Sequence, residues 1–175
     1  MNMRQRFALA ACAMATAALS TAWATTTFKG NSPSGAHYSQ GAVEPTCGLA
    51  TIDDELSVAC TGTAIAGVGN TNAALGLLVA STATVQCRNG GSQIVDVKTQ
   101  LTQDISPKNA TDLRNGTLYV DAISAPVPTT SDFLSKAKCP NRNWTKELLG
   151  DPVTSWRYTL TFNGFSTPVI VVTGP

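Results

Sequence analysis

The sequence predicts an all-β fold: a disulfide-stapled antiparallel β-sandwich of about six or seven strands with Greek-key connections. Three observations carry that expectation. Segments rich in Val, Thr, Ile and aromatic residues alternate apolar and polar positions with a period of two, and Asn-Gly or Gly-rich turns bound them. Charged residues make up only 13% of the chain, too few to clothe the polar faces of several amphipathic helices. Cys47, Cys60, Cys87 and Cys139 lie beyond an N-terminal leader, and an even number of cysteines in an oxidising compartment fits two disulfides.

The leader runs from Met1 to Ala24. Arg4 and Arg6 precede an apolar, alanine-rich stretch from Phe7 to Leu19, and Ala22-Trp23-Ala24 supplies a small-x-small cleavage site, so export is expected. Leu9-Ala10-Ala11-Cys12 also fits a lipobox, in which a lipid on Cys12 would anchor the protein. That alternative is opposed by the short apolar run before Cys12 and by the apolar character that continues past it. No stretch offers the roughly 20 apolar residues of a membrane span. Cleavage after Ala24 leaves 151 residues, read as a polar arm from Thr25 to Thr46 and one domain from Cys47 to Pro175. Loss of Arg4 and Arg6 turns the formal charge from +1 to −1, which leaves no basic footprint for nucleic acid.

The arm contains Asn31-Ser32-Pro33-Ser34-Gly35 and lacks an apolar period, so it reads as extended or looped, with room for an edge strand near Ala42 and Val43. Thr61 to Val68 alternates as a strand and ends at Gly69-Asn70. Ala74 to Cys87 reads as one long strand bent near Ala80 and Ser81, closed by Asn89-Gly90-Gly91, whose glycines suit positive φ. Ile94 to Leu101 sets Val95, Val97, Thr99 and Leu101 against Asp96, Lys98 and Gln100, a half-buried strand. Asn115-Gly116 introduces a strand from Thr117 to Ile123. Pro126 and Pro128 then require an exposed crossing from Ala125 to Ser131, followed by a helical turn at Phe133-Leu134. Trp156, Tyr158, Leu160 and Phe162 share one strand face, and Asn163-Gly164 turns the chain into a last strand through Val172.

Four cysteines allow three connectivities. The expected pairing joins Cys47 to Cys60, a short local loop, and Cys87 to Cys139, linking the middle of the chain to its last third. A zinc site is the rival reading, disfavoured by the absence of any CxxC pair and by a single histidine, His37.

Three pieces carry a resemblance. Cys60 with Gly67-Val68-Gly69-Asn70, then Thr84-Val85-Gln86-Cys87-Arg88-Asn89-Gly90-Gly91, then Cys139-Pro140-Asn141-Arg142-Asn143-Trp144 resemble a family of small secreted bacterial proteins with no assigned activity. The likeness covers most of Cys60 to Val172 and implies a single β domain with a leader and a Pro/Thr-rich crossing; it implies no substrate. Cys47 is additional to that pattern, and Lys146 to Pro152 is less β-like than its counterpart.

The residues carry little catalytic chemistry. His37, the only imidazole, lies in the arm and reads as a surface residue; no nucleophile elbow, H-E-x-x-H pair or phosphate loop is present. Asp53-Asp54-Glu55, the only acidic cluster, reads first as a solvated turn and second as a weak hard-cation site. Trp144 reads either as a cap over a disulfide or as a surface recognition residue. No cofactor and no enzymatic activity are expected. The partner expected is an extracellular protein or glycan, and three roles follow: a binding or surface-interaction module, a fimbria-like subunit assembling by strand addition from the arm, or an enzyme inhibitor presenting the Ala125 to Ser131 loop.

Overall fold

A computed structural model describes residues 22–109 and 112–175, with the side chains of 106–109 left out of the description. The proposed leader up to residue 21, including Cys12, lies outside the described residues. The described chain forms twelve strands in three antiparallel sheets and one short helix. The strands are β1 (Trp23–Thr26), β2 (His37–Tyr38), β3 (Cys47–Ile52), β4 (Glu55–Cys60), β5 (Thr63–Ala66), β6 (Ala73–Arg88), β7 (Ile94–Asn109), β8 (Asp112–Arg114), β9 (Thr117–Val120), β10 (Ile123–Pro126), β11 (Thr145–Phe162) and β12 (Ile170–Gly174), and the helix α1 (Thr130–Lys136) precedes β11. One sheet has the order β1-β12-β11-β6-β7, a second β10-β4-β3, and a third β2-β5-β9-β8.

β6 is long because its apolar/polar alternation persists along nearly its whole length. Along β6, Ala73, Leu75, Leu77, Val79, Ser81, Val85 and Cys87 are all buried on one face. Register places Trp156 beside Val79, Tyr158 beside Leu77 and Leu160 beside Leu75, and β12 adds Val172 beside Tyr158. These side chains meet Val58, Ile65, Leu118 and Ile123 from the other two sheets in one apolar core. Each such fully buried aliphatic or aromatic side chain stabilises the fold by about 1.5–3 kcal/mol relative to exposure. A smaller core forms where Phe133 and Ala137 at α1 pack on Val85, with Val97, Leu101 and Leu148 around them.

Both disulfides follow this layout. Cys47–Cys60 joins residues that are direct register partners on β3 and β4, and Cys87–Cys139 ties the end of β6 to the chain just after α1, beside the smaller core.

The structure corrects several expectations. Six or seven strands become twelve, partly because Thr117 to Ile123 is not one strand: it breaks at Asp121-Ala122, so that β9 pairs β5 in one sheet and β10 pairs β4 in another. The Cys47 to Cys60 loop is a complete hairpin. The polar arm is built into the body: β1 pairs β12, β2 pairs β5, the Tyr38 ring packs edge-on against Phe28, and Asn31 Nδ2 donates to the Pro168 carbonyl. Its strand is His37–Tyr38, not Ala42-Val43; polar side chains hid it because its partners are tertiary. The Asn89 turn takes its left-handed residue at Ser92 (φ 63°), while Asn89 Oδ1 accepts from the Gly91 and Gln93 amides. Lys146 to Pro152 is strand after all, interrupted by a bulge at Gly150 (φ 75°) that absorbs the extra residues between Leu149 and Val153. The exposed crossing is also revised: Ala125 is fully buried, Pro126 pairs with Ser57 at the sheet edge, and the Val127 amide donates to the Leu56 carbonyl at 2.8 Å.

Candidate functional site

A groove of about 680 Å³ lies where the tip of the β3–β4 hairpin, the chain entering α1 and the bulge of β11 meet. Each contribution has a local cause. The hairpin closes through Asp53 (φ 50°) and Asp54 (φ 65°), a two-residue turn in which both residues take left-handed geometry that aspartate tolerates better than most residues. The acidic cluster is therefore turn chemistry. Asp54 and Glu55 line the groove, whereas Asp53 does not.

The second acidic contribution comes from the helix start. Thr129 and Asp132 form a capping box: the Asp132 amide donates to Thr129 Oγ1, and Asp132 Oδ2 accepts from the Thr129 amide at 2.7 Å. The Thr129 hydroxyl and backbone N–H together hold the Asp132 carboxyl below its ordinary range. A third element, the β11 bulge, presents Asp151 and Pro152. Pro126, Pro128 and Pro152 stiffen the walls, and Leu49 and Leu56, each about half exposed, stand beside the opening. Four carboxylate residues line the groove and no Lys, Arg or His does.

Trp156 is the aromatic of the groove, yet it is only 3% exposed, with its indole Nε1 unpartnered among the described residues. Gly174 lies against the indole so closely that a methyl group there would collide with it.

The structure separates the other residues singled out in the sequence. No group of three or more His, Cys, Asp or Glu residues capable of holding a metal occurs among the described residues, so Asp53, Asp54 and Glu55 do not converge on one point. Trp144 is half-buried in the turn after Cys139, its amide donating to the Asn141 carbonyl, and is not a groove residue. His37 is exposed on β2, with Nδ1–H donating to the Gly35 carbonyl at 2.7 Å. Sequence reasoning missed Asp132 and Asp151. The local signals were a Thr-x-x-Asp capping pattern and a Gly-Asp-Pro bulge, but only the sheet register brings them to Asp54 and Glu55.

No known family model matches the chain, and no curated protein or solved structure matches it either.

Proposed function

We propose that this protein is an exported, non-enzymatic binding module, a Greek-key β-sandwich whose groove takes an extended, basic segment of another extracellular protein. One observation carries the reading: three separate elements converge to place Asp54, Glu55, Asp132 and Asp151 around one apolar, proline-walled groove that has no cation of its own. Such a field steers and retains cationic partners. A protein segment is favoured over a glycan because sugar stacking needs an exposed aromatic face, and Trp156 is covered. A binding role is favoured over catalysis because Asp132 is pushed down, the opposite of what a general acid requires, and His37 is not among the residues that line the groove.

The other roles fare worse. An inhibitor needs a free loop, and Ala125 and Val127 are held in the fold. A subunit donating Thr25 to Thr46 to a neighbour needs a free arm, and the arm is paired at β1 and β2.

The test is fluorescence anisotropy of a labelled peptide alternating lysine with proline and valine. We expect binding that weakens steeply with salt and falls at least about tenfold in the D54N/E55Q/D151N variant, given roughly 1 kcal/mol per lost charge contact. Equal binding by wild type and variant, or no binding at low salt, would overturn the reading.

A further inference from the structure

The free edge of β7 is unusually long. From Ile94 to Ile105 it pairs residue by residue with β6, before the register breaks opposite Gly76, and its other side has no backbone partner among the described residues. Twelve regular residues present about 40 Å of unpaired amides and carbonyls. The other sheet edges, β1, β3, β10, β2 and β8, have six residues or fewer.

We infer that this edge pairs with β7 of a second copy, antiparallel about a two-fold axis at Leu101, joining two five-stranded sheets into one. Two independent features of the strand select that occupant and that register. The first is charge. With Leu101 opposite Leu101, Lys98 of each copy faces Asp104 of the other on the exposed face, twice by symmetry, and both side chains lack an ion-pair partner among the described residues. Centring the pairing one residue earlier, at Gln100, sets Asp96 against Asp104. Centring it one residue later, at Thr102, pairs only Thr99 to Ile105 within the regular segment, where Leu101 pairs Val97 to Ile105, and sets Asp104 against Gln100. A half-step would put each strand's outward polar residues against the other's inward face.

The second feature is apolar surface. The same register sets Val97 of each copy opposite Ile105 of the other, and both are only half-buried in the single chain. A two-fold contact of this kind consumes the edge and closes, giving a dimer and not a fibre. The edge borders the groove at Gln103, yet the pairing uses none of the four groove carboxylates.

Sedimentation and light scattering over a range of concentrations test it on the full disulfide-bonded protein, with far-UV circular dichroism as the control for folding. We expect a concentration-dependent dimer. K98E and D104K should each weaken it by about tenfold, since each creates two like-charge pairs, and K98E/D104K should restore it to within about threefold. Monomer at every concentration would overturn the inference and leave the edge to a different strand. A dimer unmoved by the single reversals, or not restored by the double one, would overturn it as well, because another surface would then be responsible.

Discussion

Tyr158 shows what a single side chain decides. Its ring fills the core between Leu77 and Val172, but its hydroxyl is buried with no partner among the described residues. Burial, reinforced by the nearby Tyr38, pushes the phenol well above its ordinary value; burial also raises Tyr38. Tyr158→Phe keeps the packing and removes an unsatisfied hydroxyl, so denaturant unfolding at neutral pH should show a gain of about 1 kcal/mol. The sign of the pH effect follows from the raised phenol. Below about pH 10 both folded and unfolded chains carry it neutral, and stability is insensitive to it; above about pH 10 the unfolded chain ionises first and stability falls. The variant should lose part of that alkaline slope, and an unchanged slope would count against the burial argument. The fate of the face was legible in the sequence, because Trp156, Tyr158, Leu160 and Phe162 alternate cleanly. The orphan hydroxyl was not, because it depends on what the other two sheets place above it.

At the scale of elements, the two disulfides do different work. Cys47 and Cys60 are 13 residues apart and already held in register by a hairpin with a two-residue turn, so the bridge adds little order beyond what β3 and β4 impose. Cys87 and Cys139 are 52 residues apart and tie the α1 region to β6. Loop entropy gives about 3 kcal/mol for the first and about 4 kcal/mol for the second, and the hairpin lowers the first further. Replacing Cys87 and Cys139 by serine should therefore cost more in chemical denaturation than replacing Cys47 and Cys60. It should also speed amide exchange first in α1, whose core is the small one around Phe133. The reverse ranking would show that the hairpin depends on its bridge. β6, β7 from Ile94 to Leu101 and β11 from Trp156 to Phe162 alternate cleanly and were readable in outline, whereas the first half of β11, with its bulge at Gly150, was not. The short strands β1, β2 and β8 were not, because two to four residues are too few to show an alternation and become strand only when a distant part of the chain offers them backbone partners.

For the whole molecule, the packing bears on where export processing would cut. Trp23 and Ala24 pair with Thr173 and Val172 in β1, and Ala22 and Ala24 pack against the main core. Cleavage after Ala24 would remove half of β1. Ser20-Thr21-Ala22 is a second small-x-small site, and a cut there preserves the strand. The leader proposal is tested by N-terminal sequencing of the protein recovered from an exporting host, which should read Trp23; a chain beginning at Thr25 would show that β1 is dispensable. The sequence by itself determined the β class, the turn positions at Asn115-Gly116 and Asn163-Gly164, and which face of each long strand is apolar, because these depend on neighbours within a few residues. Only the tertiary structure decided that the N-terminal segment completes two sheets, that the Thr117 to Ile123 segment divides between sheets, and that Asp54, Glu55, Asp132 and Asp151 share one groove. Those outcomes depend on register between strands far apart in the chain, and register is fixed by the collective burial of the core and not by any local pattern.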